Sequence, residues 1–282
     1  MKSKFFYRSS SLPPGFAPAV GSLVIQRLFI MIFLLAVAIG CSSKTKTFKP
    51  VIDPELVNLT KEQAFEKAEK LMVDRKFNRA RTFYSHVYEN YPNDPLGRRS
   101  LLRVADSYFK QGDVVNLVEA QYKYRDFINR YPGSEFADYA MLQIANVAYK
   151  QMERPDRDQT KTHEAVEKFK EMIGAYPGST HRPEAEEKLR KAYDRLAKHE
   201  HVIARFYMKR GRHDSAVIRL NNIVDRFPDY VERDATFFDL ATALDALGRS
   251  GEARLYFERV ISEFPESDFA KRAKSRLEQT KV

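Results

Sequence analysis

Few side chains in this sequence could do chemistry, and their spacing limits what they could do. One thiol occurs in 282 residues, Cys41, so no intrachain disulfide and no multi-thiolate metal site can form. His199-Glu200-His201 supplies two imidazoles, but residues two apart on a helix point away from each other, and a solvated polar helix is expected there. Carboxylates such as Glu186 and Glu187 fall in charged helical stretches, where they solubilise rather than catalyse. The phosphate loop G-x-x-x-x-G-K-[ST], the dinucleotide fingerprint G-x-G-x-x-G, the nucleophile elbow G-x-S-x-G and the zinc helix H-E-x-x-H are all missing. The expectation is a protein without metal, cofactor or enzymatic activity.

The surroundings of Cys41 give that thiol a different use. Leu28 to Ile39 is an unbroken run of twelve apolar residues, preceded by Arg27 and closed by Gly40 and Cys41. A membrane-spanning helix needs about 20 residues, so this run with its basic flank reads as a secretory signal over residues 1–40. Ala38-Ile39-Gly40-Cys41-Ser42-Ser43 resembles the lipobox of bacterial lipoproteins, with Ala38 where Leu is usual. That resemblance implies acylation of Cys41, and Ser42 in place of Asp implies sorting to the outer membrane. Each buried acyl CH₂ contributes roughly 0.8 kcal/mol, so a multiply acylated cysteine tethers the chain. Residues 41–59 are polar and carry two prolines, and they read as that tether, with ordered structure beginning near Thr60. The formal charge of +10 falls to +6 (10 − 4) once Lys2, Lys4, Arg8 and Arg27 leave with the signal. The remainder is a weak argument for nucleic acid, and no nucleic-acid partner is expected.

The rest of the chain is a repeat. Five aromatic-proline pairs punctuate it, Tyr91-Pro92, Tyr131-Pro132, Tyr176-Pro177, Phe227-Pro228 and Phe264-Pro265, at spacings of 40, 45, 51 and 37 residues. Twelve residues before each proline stands an alanine: Ala80, Ala120, Ala165, Ala216 and Ala253. Eight before stand Tyr84, Tyr124, Phe169, Leu220 and Phe257, and five before stand Val87, Phe127, Met172, Ile223 and Val260. These offsets put a small residue and two bulky ones on one face of a helix that the proline ends. A preceding helix carries a second alanine, Ala68, Ala105, Ala204 or Ala241, with Arg75, Gly112, Gly211 or Gly248 seven residues later at the turn. Phe237, Leu240, Ala241, Leu244, Gly248, Ala253, Phe257 and Pro265 keep the spacing of a tetratricopeptide repeat.

The fold expected is therefore all-α: a tetratricopeptide-repeat solenoid of five helix pairs plus a C-terminal capping helix from about Ser267 to Gln279. Neither Pro nor Gly interrupts the chain between Pro183 and Arg210, which predicts one helix of 28 residues, about 42 Å long. As a strut it would divide repeats one to three (residues 60–182) from repeats four and five (residues 183–282).

Stacked helix pairs curve into a groove lined by the first helix of each pair. Counted from the first alanine, the groove positions are Phe65, Glu69 and Met72 in repeat one and Arg99, Leu102, Asp106 and Phe109 in repeat two. In repeat three they are Tyr139, Leu142, Asn146 and Tyr149. Apolar and aromatic groups with separated charges suit an extended peptide, although the same side chains could serve only to pack neighbouring repeats. Arg205, Lys209, Arg212 and Arg219 belong to a stretch of local charge +4 that fits an acidic protein partner or a solvated face.

Together the lipobox, the five repeats, Arg154-Pro155-Asp156-Arg157-Asp158-Gln159-Thr160, His199-Glu200, Ala204-Arg205-Phe206-Tyr207 and Arg210-Gly211 resemble the BamD (ComL-type) lipoproteins of the outer-membrane β-barrel assembly machinery. The resemblance spans nearly the whole mature chain. It implies a non-enzymatic subunit, lipid-anchored at the periplasmic face of the outer membrane. The N-terminal repeats would read unfolded β-barrel proteins, and the C-terminal repeats would dock on POTRA domains of a BamA-like protein beside other subunits. Arg219 matches an arginine that the family uses at that docking surface. Two rival readings remain: a tetratricopeptide adaptor lipoprotein for cell-wall construction or competence, and an enzyme with carboxylates clustered between repeats three and four.

Overall fold

The computed structural model describes residues 53–279, and every regular element among them is helical. A 3₁₀ turn, Pro54–Leu56, precedes α1 (Lys61–Val73), α2 (Phe77–Asn90), α3 (Pro95–Gln111), α4 (Val114–Arg130) and α5 (Ala137–Lys150). There follow α6 (Thr160–Ala175), α7 (Arg182–Lys209), α8 (His213–Arg226), α9 (Arg233–Ala246), α10 (Ser250–Glu263) and α11 (Asp268–Gln279). Five antiparallel pairs, α1/α2 to α9/α10, with α11 against the last, make the tetratricopeptide solenoid that the spacing predicts.

The aromatic-proline pairs end the second helices in one way. Tyr91, Tyr131, Tyr176, Phe227 and Phe264 all have φ between −135° and −129° and ψ between 53° and 64°. In each the amide still donates to the carbonyl four residues back. The next residue, a proline, has no N–H to continue the ladder and forces its predecessor out of the helical region. Within the pairs both alanine series are almost wholly buried, at 0–2% exposure, so the helices cross at close approach. Repeat three has its own first alanine, Ala145, which sets the register of Tyr139, Leu142, Asn146 and Tyr149.

First helices lie between neighbours and second helices lie outside. α9 buries nine residues, Ala235 to Leu244, on all sides, whereas α10 buries only Ala253, Phe257 and Val260. The core is correspondingly a chain of four clusters joined by shared side chains: Tyr108, Met141, Met152 and Leu189 each touch two of them.

The tight turns within pairs need a left-handed residue. Gly112, Gly211 and Gly248 supply it without strain, and in repeat one Arg75 does so at φ 60°. Repeat three uses a longer loop instead. The Gln159 carboxamide, buried, donates to the Arg154 and Arg157 carbonyls and accepts from the Thr162 hydroxyl, which pins residues 154–159.

Two expectations change. Order begins before Thr60: Leu56 is buried against α1 and α2, and Asp53 accepts two bonds from Arg79. The apolar end of the first pair needs a cover, and this short turn provides it. His201 is not on a solvated face but 1% exposed, although His199 does point elsewhere, with Nδ1 on the Pro155 carbonyl at 2.6 Å. The signal segment, Cys41 and most of the tether lie outside the described residues.

Candidate functional site: a polypeptide-binding face

α3, α5 and the start of α7 position the groove residues side by side. A cleft of about 470 Å³ is lined by Arg99, Leu102, Arg103 and Asp106 of α3, Asp138 and Tyr139 of α5, and Glu135, Phe136, Thr180 and His181 from the adjoining turns. A hollow of about 570 Å³ is lined by Phe109, Gln143, Asn146, Tyr149, Lys150, Glu184 and Lys188. Seven of the eleven groove residues read from the sequence therefore meet at two concavities. Phe65, Met72 and Leu142 are 8%, 4% and 1% exposed and sit in the core, where the other use foreseen for such side chains, packing between repeats, accounts for them. Glu69 lies behind the cleft and holds its floor.

That floor is a half-buried polar network. Arg103 donates from Nε to Glu69 Oε1 at 2.6 Å, from Nη2 to Glu69 Oε2, and from Nη1 to Asp106 Oδ2 at 3.1 Å. Tyr84 donates to Glu69 Oε1 at 2.7 Å, and Tyr124 and Tyr139 donate to Asp106 Oδ1 at 2.6 and 2.8 Å. Five helices, α1 to α5, are thus tied through two carboxylates. Burial pushes the Glu69 carboxyl up, but the bonds from Arg103 and Tyr84 outweigh that and hold it below its ordinary value. Burial also pushes the Tyr84, Tyr124 and Tyr139 phenols up, so they remain donors.

With Arg103 satisfied by two carboxylates, the exposed cation at the cleft is Arg99, stacked over the Phe65 ring at 5.3 Å. In the hollow Lys150 lies over Phe109 at 4.9 Å, and Lys188 donates to Asn146 Oδ1 at 2.8 Å and to Glu184 at 2.6 Å. The single acid lining this hollow, Glu184, is ion-paired with Lys188. Apolar ring edges beside hydrogen-bonding groups can hold alternate side chains of an extended chain while fixing its backbone. Arg103 was missed by sequence reasoning because it lies off the groove register; its opposite charge three residues before Asp106 was the available signal.

The four residues expected to dock a partner, Arg205, Lys209, Arg212 and Arg219, do not form one cluster. Arg205 Nε donates to Asp239 Oδ2 at 2.7 Å, facing α9, whereas Arg219 Nη1 reaches Glu200 at 3.1 Å across the α7/α8 crossing. Positions 200 and 205 lie about 140° apart around a helix. Lys209 is exposed, and Arg212, 65% exposed, lies 3.7 Å from Asp214.

Fold and face together define a tetratricopeptide-type helical scaffold. The YfiO family, described as an outer membrane lipoprotein family, matches residues 58–255, and the chain belongs to it. It is similar to the outer membrane protein assembly factor BamD of Caulobacter vibrioides, at 24% identity over 79% of this chain and 71% of that one. It is also similar to the BamD of Neisseria meningitidis serogroup B, at 25% identity over 84% of this chain and 93% of that one. Among solved structures, the TPR2AB-domain:pHSP90-complex of yeast Sti1 is similar over 77% of this chain and 82% of that one, at 17% identity and a TM-score of 0.41. No helix among the described residues is long and apolar enough to cross a membrane.

Proposed function

We propose that this chain is a non-enzymatic subunit of the outer-membrane β-barrel assembly complex, held by acyl chains on Cys41 at the periplasmic face of the outer membrane. Membership of the outer membrane lipoprotein family, beside relatives named outer membrane protein assembly factors, is the observation that carries this reading. The cleft at Arg99, Asp106 and Tyr139 and the hollow at Phe109, Asn146 and Tyr149 receive the extended terminal strand of an unfolded β-barrel protein. Rings fill with its apolar side chains, and Arg99 meets its carboxylate end. The basic residues of α7 and α8, Arg219 foremost, dock on the POTRA domains of a BamA-like partner, beside other subunits.

Purification from detergent-solubilised membranes through a tag at Val282 tests this reading. A β-barrel protein with POTRA domains should come along. Its absence, together with retention on peptidoglycan, would favour the rival adaptor of cell-wall construction. Within the complex, Arg219→Ala should weaken capture of that partner roughly tenfold while circular dichroism stays unchanged. Full capture by the folded variant removes the docking role of Arg219.

A further inference from the structure

In the C-terminal half the repeat register places a cation where the first three repeats place an acid or an amide. One residue after the first alanine stand Glu69, Asp106 and Asn146 in repeats one to three, and Arg205 in repeat four. Lys198, Arg205 and Lys209 are spaced seven and four residues apart on α7, so they share one strip of that helix. Lys198 donates to Glu232 at 2.5 Å and Arg205 to Asp239 at 2.7 Å, and Lys209 is exposed. Because the Arg205 bond uses Nε, both terminal nitrogens of the guanidinium remain available to another carboxylate.

Behind the strip lies His201, 1% exposed. Its Nε2 stands 2.9 Å from Asp239 Oδ2, while Nδ1 is buried, without a hydrogen-bond partner, 3.9 Å from Glu232 Oε2. The Tyr230 ring packs edge-on at 6.1 Å, and its hydroxyl is likewise buried without a partner. The charged and titratable groups around the imidazole are Lys198 and Arg205 of α7, with Asp194 further along that helix, Glu232 and Asp239 at α9, and Tyr230 in the turn. α8 sends Arg219 to Glu200 on another side. A neutral His201 that donates from Nε2 keeps a bare lone pair on Nδ1 in a dry place; a proton there points an N–H at Glu232.

We propose that this strip of α7 is a second polypeptide site, for an extended acidic segment, in which a carboxylate of the incoming chain takes the terminal nitrogens of Arg205 against the competing charge of Asp239 on Nε. Asp239 is the internal competitor, and His201 sets how well it competes. Protonated, His201 engages Asp239 from behind as a full cation and loosens its hold on Arg205. The strip then carries Lys198, His201, Arg205 and Lys209 against Glu232 and Asp239, and its charge rises from +1 to +2. Binding of an acidic segment is therefore tighter with a proton on His201 than without one. Although burial pushes the Asp239 carboxyl up, the bonds from His201 and Arg205 more than offset it, so Asp239 stays ionised as this competition requires.

The inference rests on the scaffold reading, but its test uses the purified chain and a synthetic probe, so the co-purification above can fail or succeed without deciding it. The probe is a fluorescein-labelled, end-blocked octapeptide of alternating Asp and Val, with a Lys-Val octapeptide as control, followed by anisotropy at about pH 7.5 and about pH 6. The acidic probe should bind the wild type about threefold tighter at the lower pH. Asp239→Asn should bind it roughly fivefold tighter than wild type at the higher pH and lose the pH dependence, while Arg205→Ala should abolish preference over the control. Unchanged or weaker binding by a folded Asp239→Asn chain, or equal affinity for both octapeptides, overturns the proposal. Should Asp239→Asn melt early, the wild-type His201 resonance decides the same question by nuclear magnetic resonance. Saturating acidic probe should move its titration to higher pH by linkage, and a titration that the probe leaves unmoved sinks the idea.

Discussion

Asp106 and Glu69 accept six hydrogen bonds from four side chains between them, and that makes them the most sensitive residues of the candidate face. Asp106→Ala strips the acceptor from Tyr124 and Tyr139 and one from Arg103, leaving buried polar groups unpaired; urea denaturation should show a loss of about 3 kcal/mol. Glu69 adds a pH dependence of definite sign. Its carboxyl is held below the ordinary 4.5 in the folded chain, so its contribution is complete above that value and is lost as pH falls toward the folded value. Glu69→Gln should therefore flatten stability against pH in the acid limb, and melts through that range will reveal it. Arg75 is the counterpart on the side of strain. An arginine at φ 60° costs roughly 1–2 kcal/mol relative to a residue without Cβ, less the extra chain entropy of glycine. Arg75→Gly should thus raise stability by about 0.5–1 kcal/mol, measured as an upward shift of the melting temperature. Seven of the eleven expected groove positions line the two concavities because the alanine marks the register, and the other four lie in the core or behind the cleft. Arg103 was not legible in the sequence, since its role depends on carboxylates from two different turns of the chain.

At the scale of elements, sequence and structure agree wherever a local rule decides. The aromatic-proline stops and paired alanines fixed the second helices, and freedom from Pro and Gly fixed α7 as a single helix of 28 residues. Where a tertiary contact decides, the local reading fell short. Nothing local distinguishes Leu56 from a tether residue until the uncovered end of α1/α2 is in view, and His201 lost its solvent only because α9 packs over it. One close approach was likewise invisible. A Cβ on Gly97, in the first turn of α3, would stand 1.8 Å from the Tyr91 carbonyl oxygen, so α3 can dock on the preceding aromatic-proline turn only without a side chain there. Gly97→Ala, although it favours helix intrinsically, should destabilise by about 2 kcal/mol, and calorimetry on that variant settles whether the approach is real.

Over the whole molecule, stability should be distributed as it is in a linear array, because each core cluster touches only the next. The last cluster depends on α11. Phe269 packs on Phe238 at 5.4 Å, Arg272 covers the same ring at 4.2 Å, and Ala270 and Ala273 are wholly buried against the preceding pair. Ending the chain after Pro265 would uncover the far side of α9, which buries nine residues and has no other cover on that flank among the described residues. Amide exchange followed by mass spectrometry should then quicken in α9 and α10, more weakly in α7 and α8, and hardly at all in α1 to α4. This gradient bears on function as well as folding. With ends that open independently, the N-terminal face could stay ordered for the polypeptide proposed there while α7 to α10 adjust to the partner proposed for them. If exchange instead rose uniformly along the chain, the solenoid would be one cooperative unit, and occupancy at either face would have to be felt at the other.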